Sequence, residues 1–440
     1  MPVNMEVQWE QTSVAEWLNG KLTSDRVRSL TAFLEEQGTF HFRSLPSGLF
    51  PAAASDVENH ETTGYANVWL RDNIQIASAH HVLNPASSSA ADCVRGLLKF
   101  YTRHRFRFRN VIEGRDNPQD PMNRPHIRFD GEKLRELPEK WSHAQNDALG
   151  YFLWLTCRLV LDNALPVEDV HQEIIGDLVR YWETIRFWED EDSGHWEETR
   201  KVSASSIGTA VAGLTALRQL MGHHPGLLAD TESAVNTEDV DRLIEAGTRA
   251  LDTILPSECI QNDPLKKRTA DAALLFLIYP LNIVSKAQAD DIIGNVREHL
   301  MGPIGIRRYV GDSYWCADYK SLLSAEVRTS DFSDDMTARD QMLRPGTEAQ
   351  WCIFDPILSC IFGARYREHR RAEDLQKQIE YLRRSLAQLT LPGSRFGAWR
   401  CPESYFMENG TWVPNDITPL LWTQANLRQA LHHLCSSLED

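Results

Sequence analysis

Long apolar runs are absent from this sequence of 440 residues. No stretch of about 18 apolar residues occurs, so no transmembrane helix is expected. The first 19 residues carry acidic side chains and lack the apolar core of a signal peptide. We therefore expect a cytoplasmic protein with no membrane partner.

Paired cysteine motifs are absent as well. The eight cysteines are scattered along the chain and none belongs to a CxxC pair, which argues against a zinc site or a redox motif. In a chain of this size, scattered cysteines are typical of buried, reduced thiols rather than of a disulfide framework. This pattern also favours a reducing compartment and predicts no metal site.

Basic residues are fewer than acidic residues in this sequence. The chain has 46 Lys and Arg residues against 62 Asp and Glu residues, a formal net charge of -16. An acidic surface repels nucleic acid backbones and anionic lipid, so no nucleic acid partner is expected. A neutral ligand such as a sugar remains compatible with this charge.

The two-residue alternation of strands is rare, and the dominant period is helical. Residues 203–221 illustrate it, with apolar side chains three or four positions apart at Ile207, Val211, Leu214, Leu217 and Met221. Similar patterns predict about twelve helices, the others near residues 25–36, 71–83, 88–103, 142–162, 167–186, 238–254, 269–279, 286–300, 347–364, 371–389 and 418–436.

No low-complexity linker divides the chain, so we expect one domain over residues 1–440, with residues 1–45 as a helical lead-in. The longest loops are expected at residues 105–140, 302–346 and 391–416, and loops of that length are usually functional. A closed ring of helical hairpins and an irregular helical bundle both fit this pattern.

Two clusters of polar residues lie at the starts of predicted helices. Trp69, Arg71 and Asp72 lie in the first, where Arg and a carboxylate supply the donors and acceptors that sugar hydroxyls need. The second, residues 141–150, begins with Trp141 and also holds a His, a Gln and an Asp. Taken alone, each cluster is more typical of a capped helix start than of a sugar-binding site.

Two further segments place glutamates among aromatic residues. Glu197 and Glu198 follow a Trp in residues 194–206, and adjacent helical residues point about 100° apart, so only one could face a given cleft. Glu403 lies in an irregular stretch near the end of the chain. Taken alone, Glu197 and Glu198 are typical of a solvated acidic turn, and Glu403 is typical of an ordinary glutamate in a loop.

Taken together, the order of these motifs resembles the glucoamylase-type glycoside hydrolases of family 15. Trp-x-Arg-Asp is followed by Trp-x-x-x-Gln-x-Asp, Trp-Glu-Glu before a Ser-Ser helix, Arg-Tyr-x-x-Asp-x-Tyr from Arg308, and a late Pro-Glu. The chain is also similar to the glucoamylase-like domain of the phosphorylase kinase α and β subunits, notably at residues 194–197, 348–351 and 421–425. The resemblance extends from about Gly48 to Leu434.

The resemblance implies an all-α fold, the (α/α)6 toroid of six helical hairpins. It makes Glu197 the general acid and Glu403 the general base, with Glu198 helping to hold the substrate. One carboxyl group must be protonated to assist the leaving oxygen, and the other ionised to activate water. The resemblance implies no cofactor, and its other substrate-binding positions are Trp69, Arg71, Asp72, Trp141 and Arg308.

The expected function is exo-acting, inverting hydrolysis of an α-glucoside or maltooligosaccharide that releases glucose from the non-reducing end. Two alternatives stay open. The chain could be a catalytically silent module that binds saccharide or regulates a partner, as the similarity to kinase subunits suggests. It could also cleave another α-linkage, such as that of trehalose or an α-1,6 bond.

Overall fold

A computed structural model describes Val14, Trp17, residues 22–53 and residues 64–439. Most of the predicted lead-in before residue 22 therefore lies outside the described residues. The described helices are α1 (Ser24–Glu36), α2 (Leu70–Leu83), α3 (Ser89–Arg103), α4 (Phe106–Ile112), α5 (Asn146–Leu161), α6 (Gln172–Ile185), α7 (Ala204–His223), α8 (Thr237–Ile254), α9 (Leu275–Ile278), α10 (Lys286–Asn295), α11 (Tyr319–Leu322), α12 (Thr337–Asp340), α13 (Phe354–His369), α14 (Ala372–Ala387) and α15 (Leu421–Glu439).

Six of these helices form a closed inner ring. In chain order they are α2, α5, α7, α9, α13 and α15; each packs on the next, and α15 packs back on α2. Their first turns are buried on every side, as a helix enclosed by neighbours must be. The packing of α5 on α7 is close because Gly150 and Gly213 have no side chain; a Cβ at Gly150 would lie 2.5 Å from the backbone of Thr209.

An outer layer surrounds this ring. It consists of α1, α3, α6, α8, α10 and α14, which alternate along the chain with the inner helices. Helix α8 shows why they lie outside, because its buried residues form one stripe at Val240, Leu243, Gly247, Leu251 and Ile254. The double ring confirms the (α/α)6 toroid. Among the described residues, no helix is both long and apolar enough to cross a membrane.

Two small antiparallel sheets lie at one end of the ring. The first joins β1 (Val68–Trp69), β2 (Arg128–Asp130) and β3 (Arg135–Glu136), with Val68 opposite Phe129. The second joins β4 (Gln350–Trp351), β5 (Ser404–Glu408) and β6 (Thr411–Pro414), with Gln350 opposite Tyr405. Strand β1 continues directly into α2, so the sheets fix side chains where inner helices begin.

Two helix predictions were wrong in extent. Residues 269–279 contain a short 3-10 turn (Ala272–Leu274) followed by the four-residue α9. The helix starts late because Asp271 pairs with Tyr309 in an isolated bridge and its carboxylate accepts from the backbone N–H of Ala273. The helix predicted from residue 347 begins at Phe354, because the backbone of residues 350–351 pairs with β5. The three long loops were correctly placed, although each contains short helices or strands.

Candidate active site

A pocket opens at the end of the toroid where the inner helices begin. Its space, open solvent at the mouth included, is about 730 Å³, a size typical of small-molecule sites. Seven of the eight predicted site residues line it: Trp69, Arg71, Asp72, Trp141, Glu197, Arg308 and Glu403. The floor is apolar, formed by Trp196, Leu420 and Trp422 above the ring's core.

Glu197 occupies an unusual backbone conformation. It follows the single turn Gly194–Trp196 and has φ 59° and ψ 49°, the left-handed region that a residue with a side chain rarely adopts. Such strain persists only where surrounding contacts hold it, and it is common at functional sites. Here Trp196 donates from Nε1 to Asp271 at 2.9 Å, which fixes the residue before Glu197.

The Glu197 carboxylate faces the pocket and is linked to the other polar groups through Gln145. Gln145 donates from Nε2 to Oε1 of Glu197 at 3.2 Å and accepts from Arg71 at 2.7 Å. Burial raises the pKa of Glu197, and the positive charge of Arg71 opposes that rise. A raised pKa favours the protonated form that a general acid requires.

Glu403 lies immediately before β5, on the opposite sheet from Trp69. It is 2% exposed, and each carboxylate oxygen accepts one hydrogen bond: Tyr65 donates to Oε1 at 2.9 Å and Asn415 donates to Oε2 at 2.6 Å. Burial raises the pKa of Glu403 to about 7, although both hydrogen bonds favour the ionised form. Above that pH the group is ionised and can accept a proton.

Removing the Tyr65 hydroxyl should shift the pH dependence of turnover. In a Tyr65→Phe variant the ionised form of Glu403 loses one donor, so its pKa rises and the acidic limb of kcat/KM moves to higher pH. A hydrogen bond to a charged group is worth about 1.5–3 kcal/mol, so a shift of about one pH unit or more is expected. A pH profile of kcat/KM measures it.

Tyr405→Phe is the matched control, because its buried hydroxyl donates to the carbonyl of Gln388 instead of to Glu403. The control should keep the parent's acidic limb. If the two variants gave the same profile, Tyr65 would not act on the ionisation of Glu403.

Arg71 and Asp72 occupy the first turn of α2. Arg71 donates from Nε to Asp147 at 2.5 Å and from Nη2 to the carbonyl of Gly194 at 3.1 Å, so its guanidinium is fixed. The Asp72 carboxylate accepts no hydrogen bond from a side chain among the described residues, and it lines the pocket. Burial raises the pKa of Asp72 to about 7, although the positive charge of Arg71 opposes the rise. The carboxyl group of Asp72 can therefore form hydrogen bonds with a ligand.

Glu198 does not line this pocket; it is buried behind Arg308. Its carboxylate accepts from Tyr309 at 2.5 Å, from Arg308 and Arg339 at 3.3 Å each, and from Arg268 at 3.1 Å. Burial alone would raise its pKa, but the three guanidinium groups hold the pKa of Glu198 at about 2. The structure thus places Glu198 outside the pocket that the seven other predicted residues line, although it contacts one of them, Arg308.

Arg308 reaches the pocket between aromatic rings. Asp312 holds it with two hydrogen bonds of 2.6 and 2.7 Å, and its guanidinium lies 4.9–5.1 Å from the ring centres of Trp196, Tyr314 and Trp351. Aromatic faces stabilise a cation at this distance. The arrangement fixes a permanent positive charge in the pocket wall.

Sequence reasoning missed several residues of the site. Tyr65 and Asn415 contact Glu403 although neither residue carried an assigned role, and Thr329 to Asp331 reach the pocket from the loop at residues 302–346. The remaining lining residues without an earlier role are His195, Trp196, Tyr314, Arg339, Trp351, Leu420 and Trp422. The length of that loop was the one signal that could have indicated its contribution. The described residues contain no group of three His, Cys, Asp or Glu that could hold a metal ion.

A helical double ring with an aromatic pocket at one end is the fold of the glucoamylase-like proteins. The chain belongs to the glycosyl hydrolases family 15, whose family model matches residues 38–346.

Individual relatives agree with this fold. A solved structure described as a glycosidase superposes with a TM-score of 0.64 at 17% identity, covering 96% of this chain and 97% of that one. A bacterial glucoamylase complexed with acarbose gives a TM-score of 0.59 at 14% identity, covering 94% of this chain and 55% of that one.

A relative of different description is also found by sequence. A probable phosphorylase b kinase regulatory subunit alpha of Caenorhabditis elegans is 27% identical over 418 residues, 85% of this chain. The chain spans 31% of the length of that relative.

Proposed function

We propose that this pocket hydrolyses the terminal α-glucosidic bond of a soluble oligosaccharide, with inversion at the anomeric carbon. The observation that carries the proposal is the presence of two carboxyl groups, Glu197 and Glu403, on separate segments of one pocket. Burial raises the pKa of both groups, which matches acid and base work near neutral pH. Membership of a glycosyl hydrolase family supports the class of reaction.

In this mechanism Glu197 protonates the glycosidic oxygen as the bond to the anomeric carbon breaks. Glu403 accepts a proton from a water that attacks the opposite face of the sugar, while Tyr65 and Asn415 orient its carboxylate. Inverting enzymes keep the two carboxyl groups about 6.5–9.5 Å apart to accommodate that water. Both groups return to their starting states by proton exchange with solvent.

The remaining predicted residues would bind the terminal glucose. Asp72 and Arg71 offer an acceptor and a donor beside Glu197, and Arg308 supplies a fixed charge on another side. The indoles of Trp69 and Trp141, 5.9 Å apart and at 78° to one another, can cover the apolar faces of a sugar. Glu198 would act through Arg308, because it contacts that side chain and does not line the pocket.

The closed floor supports exo action. Trp422 packs on Phe276 at 5.4 Å beneath the pocket, inside the main core, so a polysaccharide cannot pass through the ring. Only a chain end can then reach both glutamates. One structurally similar glycosidase was solved in complex with glucose, which supports a monosaccharide unit in a pocket of this kind.

Asp72→Asn should lower kcat/KM by tens-fold or more without unfolding the chain. The variant removes the negative charge that would accept hydrogen bonds from glucose hydroxyls, each worth about 1.5–3 kcal/mol when one partner is charged. Steady-state kinetics measures the loss, and circular dichroism checks the fold. Full activity in this variant would make Asp72 a structural residue of the first turn of α2.

The experiment that tests the function is a panel of maltose, maltooligosaccharides, isomaltose and trehalose with glucose release as the readout. NMR during early turnover should show β-glucose appearing first. The α-anomer appearing first would reveal a covalent intermediate and overturn the inverting mechanism. The panel also decides between the α-1,4, α-1,6 and trehalose linkages.

The similarity to a kinase regulatory subunit favours a second candidate, a module that binds saccharide without cleaving it. In that case no glucoside in the panel would be cleaved. Calorimetry would then show maltooligosaccharide binding of equal strength in the parent and in both Glu197→Gln and Glu403→Gln. We also retain the prediction of a cytoplasmic location, which the eight free cysteines support.

A further inference from the structure

The segment at residues 329–334 connects the pocket lining to Lys140, the residue before Trp141. Thr329, Ser330 and Asp331 line the pocket, and Asp334, three residues on, forms an ion pair with Lys140 beside Trp141. The segment therefore joins the loop that follows Tyr314 to the part of the pocket wall that holds Trp141.

Asp331 brings an unused hydrogen-bond acceptor into this space. Its Oδ1 accepts from the backbone of Ser333 at 2.8 Å, while its Oδ2 is buried with no hydrogen-bond partner among the described residues. A buried carboxylate oxygen without a donor is unfavourable by about 1–3 kcal/mol or more. Such a group in a pocket wall is explained if a ligand supplies the donor.

Arg128 is a second polar group without a partner. It makes no hydrogen bond or ion pair with any residue in the described ranges, and its Nε is buried. Its guanidinium lies 4.2 Å from the ring centre of Trp141 and 5.0 Å from that of Trp69, both in the pocket wall. The charges of Glu197 and Asp331 both act on it, so these three groups lie in one neighbourhood.

We infer that Asp331, with Arg128 beside it, binds the hydroxyl groups of the leaving-group sugar and so favours α-glucosides with a hydroxylated aglycone. The inference rests on the proposed function. Because Glu197 protonates the leaving oxygen, the aglycone must lie on the side of Glu197, where Asp331 and Arg128 are found. The carboxylate accepts from sugar hydroxyls and the guanidinium donates to them, so together they recognise a second sugar ring.

The test compares two substrates that share glucose but differ in the aglycone. Maltose carries a hydroxylated leaving group, and p-nitrophenyl α-glucoside carries an aromatic one without hydroxyls. In Asp331→Ala we expect kcat/KM for maltose to fall about 10- to 100-fold, the range for losing one hydrogen bond to a charged group. The value for p-nitrophenyl α-glucoside should change less than about threefold.

The ratio of the two kcat/KM values reports the contact with the aglycone once the ionisation of Glu197 is taken into account. Asp331 also raises the pKa of Glu197, and that effect weighs more on maltose, whose leaving group depends on the acid. A pH profile of kcat/KM for each substrate separates the two effects, because a shifted acid pKa moves the basic limb, whereas a lost contact with the aglycone lowers the plateau for maltose alone. Arg128→Gln should also lower the ratio of kcat/KM for maltose to kcat/KM for p-nitrophenyl α-glucoside. The decrease should be smaller if Arg128 and Asp331 contact the same sugar hydroxyl.

Asp335→Ala is the matched control. Asp335 accepts from the backbone of Thr337 at 2.8 Å, the same local turn that Asp331 makes with Ser333, and it does not line this pocket. The control should leave both substrates unaffected. If Asp331→Ala lowered both substrates equally, the inference would be wrong while the proposed function stood. If the parent cleaved neither glucoside, the proposed function would fail and the inference with it.

Discussion

Replacing Glu403 by glutamine is expected to lower kcat by about 10²–10⁴-fold, the usual contribution of a general base. The amide keeps the size of the side chain and can still accept from Tyr65, but it cannot take a proton from water. The loss should be the same for all α-glucosides, because every one requires activated water. Adding azide to Glu403→Ala should partly restore turnover, since a small anion can replace the attacking water.

Glu197→Gln should cause a loss of the same order that depends on the leaving group. A sugar alcohol leaves only when protonated, whereas a more acidic leaving group such as p-nitrophenol departs with less help. The variant should therefore retain more activity on p-nitrophenyl α-glucoside than on maltose. Steady-state kinetics on both substrates separates the acid from the base.

Glu408→Gln serves as the control for both variants, since Glu408 lies on β5, the strand that follows Glu403, but outside the pocket lining. It should match the parent. If Glu403→Gln kept the kcat of the parent, Glu403 would not be the general base. If Glu197→Gln lost activity equally on both substrates, Glu197 would not be the general acid.

Glu198→Gln is expected to destabilise the fold by about 3–5 kcal/mol, the cost of leaving buried charges without their partner. The substitution leaves Arg268, Arg308 and Arg339 facing a neutral amide in a fully buried position. Urea unfolding measures the change in free energy. Activity should fall as well, because Arg308 loses one of the groups that orient it.

The stability effect has a defined pH dependence. The pKa of Glu198 is lowered from 4.5 to about 2 in the folded state, so its contribution is complete above about pH 4.5. That contribution is lost as the pH falls towards 2, and the difference between parent and Glu198→Gln should shrink with it. Glu191→Gln is the control, because its ion pair with Lys266 is partly exposed and is worth at most about 1 kcal/mol.

Much of the fold could be predicted from periodicity, because the inner and outer helices differ in how apolar residues are spaced. Helix α8 has a single buried stripe, whereas α7 is buried over nearly its whole first half. The closure of the ring could not be predicted from that pattern, since it depends on α15 packing against α2. The short α9 was overestimated because an apolar run does not reveal that Asp271 and Tyr309 pair in an extended conformation.

The candidate site was predicted through ordered motifs, and its omissions have a physical origin. Seven side chains are brought into one pocket as expected, but adjacent residues Glu197 and Glu198 point to different places because Glu197 adopts a left-handed conformation. Tyr65 and Asn415 were missed because only the folded ring brings them to Glu403. Sequence motifs brought out the two candidate catalytic glutamates more readily than the side chains that contact them.

The pocket depends on closure of the ring, because residues far apart in the sequence form it together. The hydrogen bond from Tyr65 to Glu403 joins residues 338 positions apart, and helix α15, the last in the chain, completes the floor with Trp422. Contacts of such long sequence separation form late, because a large loop must close before they are gained. A partly folded ring would therefore present neither a floor nor a complete pair of glutamates.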